Sequence, residues 1–226
     1  MGIIDWVFPK KCLECGVGGG YFCTRCVEGI KKAKEKCPVC AQYSYGGKTH
    51  RSCGQKWGMD GVVTIYRYEG VTRKAILKLK YNFVSELTDE LGLMMTNELK
   101  KSGFMKGEKV ILVPVPLYGP RMRWRGFNQA AEIGKVIARE MCWNYAEILE
   151  RRKATESQTG LDKKNRQKNV RGVFQINPRS GSELTASDCV VVVFDDVWTT
   201  GATMRECTEA LKRGGAKEVW GLSLAS

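Results

Sequence analysis

Histidine is almost absent from this chain of 226 residues, which has a single one, His50. A site that uses histidine as its general acid or base is therefore excluded everywhere except around that position. The sequence also lacks an apolar run of 18 residues, so we expect no transmembrane helix and no membrane insertion. The opening residues, "MGIIDWVFPKKC", carry an acid within a short apolar stretch, unlike a signal peptide, which favours a cytoplasmic location.

Negative charge is in the minority, since 24 Asp and Glu face 37 Lys and Arg, for a formal net charge of +13. A basic surface suits a polyanionic partner, either a nucleic acid or a phosphorylated small molecule. The alternative is ordinary surface lysine. That alternative is weakened because basic residues cluster in the segments 121–125 and 163–171.

Seven of the ten cysteines lie in the first 53 residues, mostly as C-x-x-C pairs. In a chain without a secretion signal, such knuckles bind metal far more often than they form disulfides. Two knuckles complete the tetrahedron that Zn²⁺ prefers, and four protein ligands leave no open position for a substrate. We therefore predict two structural zinc sites. The other cysteines, Cys142, Cys189 and Cys207, stand in apolar segments and are predicted to be small core residues.

The order along the chain predicts one site from Cys12, Cys15, Cys23 and Cys26, and a second from Cys37, Cys40, His50 and Cys53. H-x-x-C has the spacing of a knuckle, so His50 stands in for a cysteine. The alternative, an exposed polar His50 beside an orphan Cys53, would leave that site with three ligands. Spacing alone leaves open an interleaved pairing, in which the first and third knuckles share one ion.

The remainder of the chain alternates between strand and helix patterns. Strands are predicted at 61–69, 108–116, 146–149, 188–196 and 217–225, and helices at 71–83, 85–103, 127–143 and 203–215. Strands that are apolar on both faces and separated by helices predict an α/β fold with a parallel, doubly wound sheet. We expect two domains, a cysteine-rich module at 1–58 and the α/β domain at 59–226.

The strand at 188–196 ends in two acids, Asp195 and Asp196, and the turn "TTGAT" (199–203) then precedes a helix. Backbone N–H groups at the start of a helix bind anions, and the threonines of the turn add hydroxyl donors. Two carboxylates are suited to accept hydrogen bonds from sugar hydroxyls. Phosphate beside a vicinal diol indicates a ribose 5-phosphate. The alternative is that the acids only cap the turn, for which one would suffice; the absence of G-K-[ST] excludes a Walker loop.

"VFDDVWTTGATM" resembles the phosphoribosyl pyrophosphate (PRPP) signature of type I phosphoribosyltransferases: an apolar strand, an acidic pair and T-T-G-x-T. Together with "VPVPLYGPRMRWRGFNQAAEIG", "RRKATESQTGLDKKNRQKNVRGVF" and the cysteine-rich segment, it makes the whole chain resemble the ComF competence family, which is amidophosphoribosyltransferase-like. The chain departs from that pattern at His50, where a cysteine is usual, and at Trp198, which is bulkier than many residues at its place.

The resemblance implies a type I phosphoribosyltransferase-like parallel sheet flanked by helices, a double zinc-ribbon module, and PRPP bound with Mg²⁺. The acidic pair would hold the ribose 2′- and 3′-hydroxyls, the turn the 5′-phosphate, and Val115–Pro116 would lie at the pyrophosphate loop. The implied PRPP-binding residues are Asp195, Asp196, Thr199, Thr200, Gly201, Ala202, Thr203, Val115 and Pro116.

The implied reaction is displacement of pyrophosphate at the ribose C1 by an unidentified acceptor, through an oxocarbenium-like state. Two basic segments could neutralise the departing pyrophosphate, and we expect Arg125, Arg166 and Arg171 to act there. The alternative is a solvated surface. However, "RGFNQ" and "RGVF" set charge among glycines and aromatics, which is more typical of a ligand-facing loop than of a helix exterior. Lys78 and Lys80 are weaker candidates, because lysines of an amphipathic helix are normally solvated.

Two functions follow from these observations. One is a phosphoribosyltransferase linked to DNA uptake. The other is a non-enzymatic protein of natural transformation that handles single-stranded DNA or recruits other competence proteins, of the helicase type, and uses the fold as a scaffold or PRPP sensor. Trp124 and Phe127 among basic residues could stack bases. The intact acidic pair and turn favour retained PRPP binding, although a fold alone does not determine function.

Overall fold

The computed structural model describes residues 10–81, 84–151, 172–177 and 188–226. Within them the helices are α1 (Thr24–Glu28), α2 (Gly70–Tyr81), α3 (Ser85–Ser102), α4 (Gly119–Arg125), α5 (Gln129–Met141) and α6 (Ala202–Arg213). The strands are β1 (Gly61–Tyr66), β2 (Val110–Pro114), β3 (Asn144–Tyr145), β4 (Leu149–Arg151), β5 (Phe174–Ile176), β6 (Val190–Val197) and β7 (Glu218–Ala225). Short 3₁₀ turns at Tyr45–Gly47 and Arg51–Cys53 belong to the cysteine-rich module.

Five parallel strands form the central sheet in the order β1-β7-β6-β2-β3. β6 lies in the middle, with Val192 opposite both Leu112 of β2 and Trp220 of β7. A separate antiparallel pair joins β4 and β5. Because parallel strands end at one edge, the residues that follow β2 and β6 are brought side by side.

Side chains of β6 point alternately into two cores. Val190, Val192 and Phe194 pack in a core with α2, α3 and α5, whereas Val191 and Val193 pack in a second core with α6. Burial on both faces explains why this strand is an unbroken apolar run. The predicted parallel sheet with helices on both faces is confirmed. Met204, Cys207 and Leu211 form an apolar stripe on α6 that is buried in the second core, as predicted for Cys207.

Several local features differ from the sequence prediction. The segment around Arg121–Arg125, expected as a ligand-facing loop, is the helix α4, which has Pro120 in its first turn and ends at Gly126 in the left-handed region (φ 77°). No strand occupies 146–149 as a unit; β3 and β4 lie on either side of residues 146–148. Cys142 is not a core residue, because it ends α5 with φ 55° and is exposed.

The cysteine-rich module packs against the sheet domain. Leu13, Tyr21, Phe22 and Ile30 contact the core that contains α2 and α3. The linker between its two halves runs beside the end of β1, where the N–H of Ala33 donates to the carbonyl of Ile65 at 3.0 Å. Within the described ranges, none of the helices combines the length and apolar character that crossing a membrane requires.

Candidate functional site

The cysteine-rich module holds two clusters of metal-ligating atoms. Sγ atoms of Cys12, Cys15, Cys23 and Cys26 lie within 4.8 Å of one another, as do the ligand atoms of Cys37, Cys40, His50 and Cys53. The pairing is therefore sequential, not interleaved. The Cys15 and Cys23 sulfurs are 3.7 Å apart, close to the edge of about 3.8 Å expected for tetrahedral Zn²⁺ with Zn–S bonds of about 2.3 Å. The donor set fits structural zinc.

His50 is held as the fourth ligand of the second metal site. Its Nδ1 lies 3.4 Å from Cys40 Sγ, and its Nε2 lies 3.1 Å from the carbonyl oxygen of Tyr43. Because a carbonyl can only accept, Nε2 carries the proton and Nδ1 keeps its lone pair for the metal. This geometry is what a fourth ligand at His50 requires.

Backbone groups of the first knuckle favour its thiolate form. Hydrogen bonding from the backbone of Cys15, with smaller effects from Glu14 and Cys23, lowers the pKa of Cys12 to about 6 against the opposing effect of burial. A ligand must be deprotonated to bind Zn²⁺, so the backbone prepares this site for metal.

A pocket of about 500 Å³ opens at the carboxyl ends of β2 and β6. Every implied PRPP-binding residue except Thr200 lines it, and Arg121 and Arg125 do so too. The pocket also has lining residues that sequence reasoning missed or ranked low: Tyr68, Lys80, Gln129 and Arg151. Arg123 is not among its lining residues, and Arg166 and Arg171 lie outside the described residues.

The two adjacent acids have different environments. Asp196 is 6% exposed, and its Oδ2 accepts a hydrogen bond from Gln129 Nε2 at 3.1 Å and pairs with Lys80 Nζ at 3.0 Å. Asp195 is less buried, and its Oδ1 accepts the N–H of Asp196 at 2.9 Å. Burial, followed by the neighbouring Asp196 carboxylate, raises the pKa of Asp195 well above that of an ordinary carboxyl. One acid is thus tied into an ion pair, whereas the other holds its proton more tightly.

Gly201 shapes the turn at the start of α6, which we call the phosphate turn (Thr199–Thr203). It is the residue before the helix and has φ 72°, and the first amide of the helix, that of Ala202, donates to Thr200 Oγ1 at 3.3 Å. A side chain at this position would overlap the ring of Trp198, which is itself buried. The bulky Trp198 fits here because residue 201 is glycine. The N-terminus of the 12-residue helix α6 faces the pocket, which Ala202 and Thr203 line.

Arg125 is joined to the acidic pair through Gln129. Its NH1 donates to Gln129 Oε1 at 2.8 Å, and Gln129 in turn donates to Asp196. Burial lowers the pKa of Arg125, with the charge of Asp196 acting in the opposite direction. Its buried Nε has no hydrogen-bond partner within the described part of the chain.

Two exposed aromatic rings stand at the rim of the pocket. Tyr81 and Trp124 are 68% and 69% exposed, and their rings meet edge to face with centroids 6.3 Å apart. Both line the pocket beside Arg121 and Arg125. Phe127, the other aromatic residue considered from the sequence, is half-buried.

The comparison with known proteins agrees with both parts of the chain. Residues 3–55 match the double zinc ribbon domain family. The chain is 28% identical to the DNA utilization protein YhgH of Escherichia coli (strain K12), over 94% of this chain and 96% of that protein. It is 28% identical to competence protein F of Haemophilus influenzae (96% and 98%) and 26% identical to competence protein ComFC of Streptococcus pneumoniae (89% and 86%). The predicted resemblance to the ComF proteins is confirmed.

Solved structures with similar architecture include the glutamine PRPP amidotransferase from B. subtilis. It aligns with 65% of this chain at 16% identity and a TM-score of 0.41, and this chain spans 30% of its length. A hypoxanthine phosphoribosyltransferase from Staphylococcus aureus aligns with 66% of this chain and 69% of its own length at 15% identity and a TM-score of 0.36. These likenesses concern the fold alone.

Proposed function

We propose that this relative of the competence proteins binds PRPP in the pocket and transfers its phosphoribosyl group to an acceptor, releasing pyrophosphate. One observation carries the proposal: the acidic pair, the phosphate turn, Val115–Pro116 and two arginines converge on a single pocket. The names of the relatives link those proteins to DNA utilization and competence, and we extend that link to this chain.

The two acids would divide the work of holding the ribose. Asp196 Oδ2 already has two donors, from Lys80 and Gln129, so its main role is to anchor the network. Asp195 is the freer acceptor for a sugar hydroxyl. The 5′-phosphate would then take the amide groups of the phosphate turn, where the helix dipole favours negative charge.

In the reaction, the bond between C1 and the pyrophosphate oxygen breaks, and its electron pair leaves with pyrophosphate. A lone pair of the acceptor forms the new bond to C1. Arg121 and Arg125 line the pocket and would stabilise the charge that develops on the leaving group. The acceptor also loses a proton, which the departing pyrophosphate can take up.

Mg²⁺ would enter with PRPP. The carboxylates among the described lining residues are those of Asp195 and Asp196, which fits an ion that uses few protein ligands and keeps phosphate and water oxygens. When bound, it would withdraw charge from the pyrophosphate oxygens.

Calorimetry with Mg·PRPP tests binding, on wild type and on Asp195→Asn, with Asp188→Asn as the control. Asp188 is an exposed acid just before β6 that pairs with Lys217 on the surface. We expect Asp195→Asn to weaken binding about tenfold or more, since a hydrogen bond to a charged group contributes about 1.5–3 kcal/mol. The control should bind like wild type. Absence of binding by wild type would contradict the proposal, and release of pyrophosphate in a screen of acceptors would identify the second substrate.

The pH dependence of binding tests the role of Asp195 separately. Because the raised pKa keeps this carboxyl protonated in the free protein, binding that needs the carboxylate should strengthen as the pH rises, by at most about tenfold per pH unit. The steepness should disappear in Asp195→Asn. An equally steep profile in that variant would assign the titration to another group.

Contact with single-stranded DNA is a second candidate function, favoured by the exposed ring pair Tyr81–Trp124 beside arginines. Rings at the mouth of a basic pocket can stack bases, at about 1–3 kcal/mol per base. Trp124→Ala should weaken binding, whereas Trp57→Ala, on the other side of α6, should not. Affinity should also fall steeply with salt as neutralised phosphates release their counterions. A flat salt response would contradict this candidate.

A further inference from the structure

Arg205 lies behind the phosphate turn, one helical turn into α6, and lines a different surface from the pocket described above. Its guanidinium donates in two directions. NH2 donates to the carbonyl of Thr200 at 2.7 Å, and NH1 donates to the carbonyl of Pro38 at 3.2 Å. Thr200 belongs to the phosphate turn, whereas Pro38 belongs to the cysteine-rich module.

Pro38 lies inside a knuckle of the second metal site, directly after Cys37 and two residues before Cys40. Both Cys37 and Pro38 are buried. The knuckle is closed by two backbone hydrogen bonds: Ala41 N–H donates to Cys37 O at 3.0 Å, and Cys37 N–H donates to Gln42 O at 2.8 Å. The direction of the Pro38 carbonyl is therefore set by the same turn that presents two ligands to the metal.

A second contact follows the same route. Lys36, the residue before the knuckle, places its Nζ 6.0 Å from the ring centroid of Trp198. That ring packs under Gly201, and a Cβ on Gly201 would also come within 2.8 Å of Arg205 NH1. The knuckle, Trp198, Arg205 and the phosphate turn form one contiguous packed group.

The chemistry of arginine suits this position. Its planar fork can serve two carbonyls at once, which the single ammonium of lysine does less well. Arg205 is half-buried, and burial lowers the pKa of its guanidinium. Loss of the side chain would remove hydrogen bonds from both the knuckle and the turn.

We propose that Arg205 is a positioning residue for the phosphate turn, through which the second metal site determines how firmly that turn is held. The first metal site has no part in this connection. The inference rests on the proposed function for its ligand, the 5′-phosphate of PRPP, but not for the contact itself. Coupling between two sites is reciprocal, so a ligand on the turn must also retain metal in the second site.

The test uses the full chain loaded with zinc, in wild type, Arg205→Met and Arg205→Lys. Arg213→Met is the matched control, because Arg213 lies on the same helix and its guanidinium donates to Glu209 of that helix at 3.0 and 2.7 Å. Hydrogen exchange read by mass spectrometry reports the peptides around 199–204, 37–53 and 12–26, and a chromogenic chelator reports zinc release.

Without ligand, Arg205→Met should speed exchange at 199–204 and zinc loss from the second site by about fivefold or more, at the low end of typical coupling. Arg205→Lys should restore part of the effect, and Arg213→Met should match wild type. With Mg·PRPP, wild type should retain zinc longer at 37–53 but not at 12–26. Arg205→Met should lose that selectivity.

The outcomes separate this inference from the proposed function. If wild type fails to bind Mg·PRPP, the proposed function is wrong, and exchange and zinc release without ligand still decide the role of Arg205. If Mg·PRPP binds but Arg205→Met leaves exchange at 199–204 and zinc release at wild-type rates, the inference is overturned. Equal protection of both metal sites by Mg·PRPP would overturn it as well.

Discussion

The two metal sites have nearly the same ligands but lie against different parts of the sheet domain. The first adjoins α2 and α3, where Lys74 pairs with Glu14 at 3.0 Å and Lys10 pairs with Glu86 at 3.2 Å. The second adjoins the phosphate turn, through the hydrogen bond from Arg205 to Pro38. The first metal site is attached to the helices α2 and α3, and the second is attached to the turn that borders the pocket.

This difference shows that similar metal chemistry does not imply similar consequences. The ion pairs of the first site are exposed, so solvent screens them, and its apolar contacts do most to hold it in place. The contact of the second site is partly buried and ends on a turn that faces a ligand pocket. We therefore expect damage at the first site to appear in stability and damage at the second to appear in binding.

Removal of both metals should have the largest effect. Structural zinc contributes apparent binding energies of about 10–16 kcal/mol in zinc-finger peptides, so a strong chelator should unfold residues 10–53. The sheet should survive, because β6 and β7 are buried within the other domain. Hydrogen exchange should rise in the module and beside each site, at α2 and at the phosphate turn. Unchanged exchange in the module after loss of two zinc ions per chain would show that the metals are not structural.

Two glycines with similar backbone angles offer the next comparison. Gly16 near the first metal site has φ 77°, and Gly201 in the phosphate turn has φ 72°. A Cβ on Gly16 meets nothing within 4 Å, whereas one on Gly201 would overlap Trp198. Gly16→Ala should cost about 1 kcal/mol of unfolding free energy, from the left-handed conformation alone. Gly201→Ala should cost a further 1–3 kcal/mol, roughly, from overpacking, and should weaken Mg·PRPP binding.

Denaturant unfolding and calorimetry on the same two variants provide the measurements. Equal destabilisation by both alanines would show that Trp198 moves aside easily. Normal Mg·PRPP affinity in Gly201→Ala would show that the turn does not hold the phosphate.

The sequence predicted the parts of this molecule that depend on local pattern. The run 190–194 is continuously apolar and the stripe on α6 has helical spacing, and both are buried. The predicted helix 85–103 closes at Gly103, which ends α3 in the left-handed region. The grouping of the metal-ligating residues into two clusters could also be predicted, because knuckle spacing is a local property of the sequence. The helix α4 was not predicted. Pro120 and Gly126 are typical of helix ends, but the arginines and aromatics between them favoured a loop.

The residues that connect the pocket to its surroundings could not be predicted from the sequence. Lys80 was a weak candidate for the site because lysines of amphipathic helices are usually solvated. Its pairing with Asp196 becomes visible only when α2 packs beside β6. Gln129 and Arg205 meet their partners across 67 and 167 positions of sequence. Contacts at such separations depend on tertiary structure, and one chain read alone carries no signal of them.

Lys78 and Lys80 both lie on α2, but Lys80 contacts the pocket and Lys78 contacts the cysteine-rich module. Lys80 pairs with the buried Asp196, whereas Lys78 lies 5.8 Å from the ring centroid of Tyr21 in the cysteine-rich module. Lys80→Met should cost about 2 kcal/mol of unfolding free energy, because Asp196 loses a charged hydrogen bond. Lys78→Met should cost about 0.5 kcal/mol, as for an exposed cation–π contact. Denaturant unfolding measures both.

The pH dependence of that difference has a defined sign. The net effect on Lys80 is a raised pKa: burial is the largest single influence and lowers it, but the charge and hydrogen bond of Asp196, together with the charge of Asp195, outweigh burial. A cation with a raised pKa stabilises the fold fully below its unfolded pKa of about 10.4, and the contribution is lost as the pH rises through the folded value. The cost of Lys80→Met should therefore stay constant between about pH 6 and 9 and shrink above that range. A cost that stays unchanged well above about pH 10.4 would assign it to packing alone.

The exposed ion pair of the first metal site should have the smallest effect. Lys74 and Glu14 are 48% and 41% exposed, so a double-mutant cycle of Lys74→Met and Glu14→Gln should give a coupling below about 0.5 kcal/mol. That coupling should vanish at about 1 M salt, where the screening length is about 3 Å. The bond from Arg205 to Pro38 ends on a neutral carbonyl in a partly buried place, so exchange at 37–53 should respond much less to the same salt. A large, salt-resistant coupling between Lys74 and Glu14 would remove the distinction between the two sites, because the first would then be as firmly joined to the sheet domain as the second.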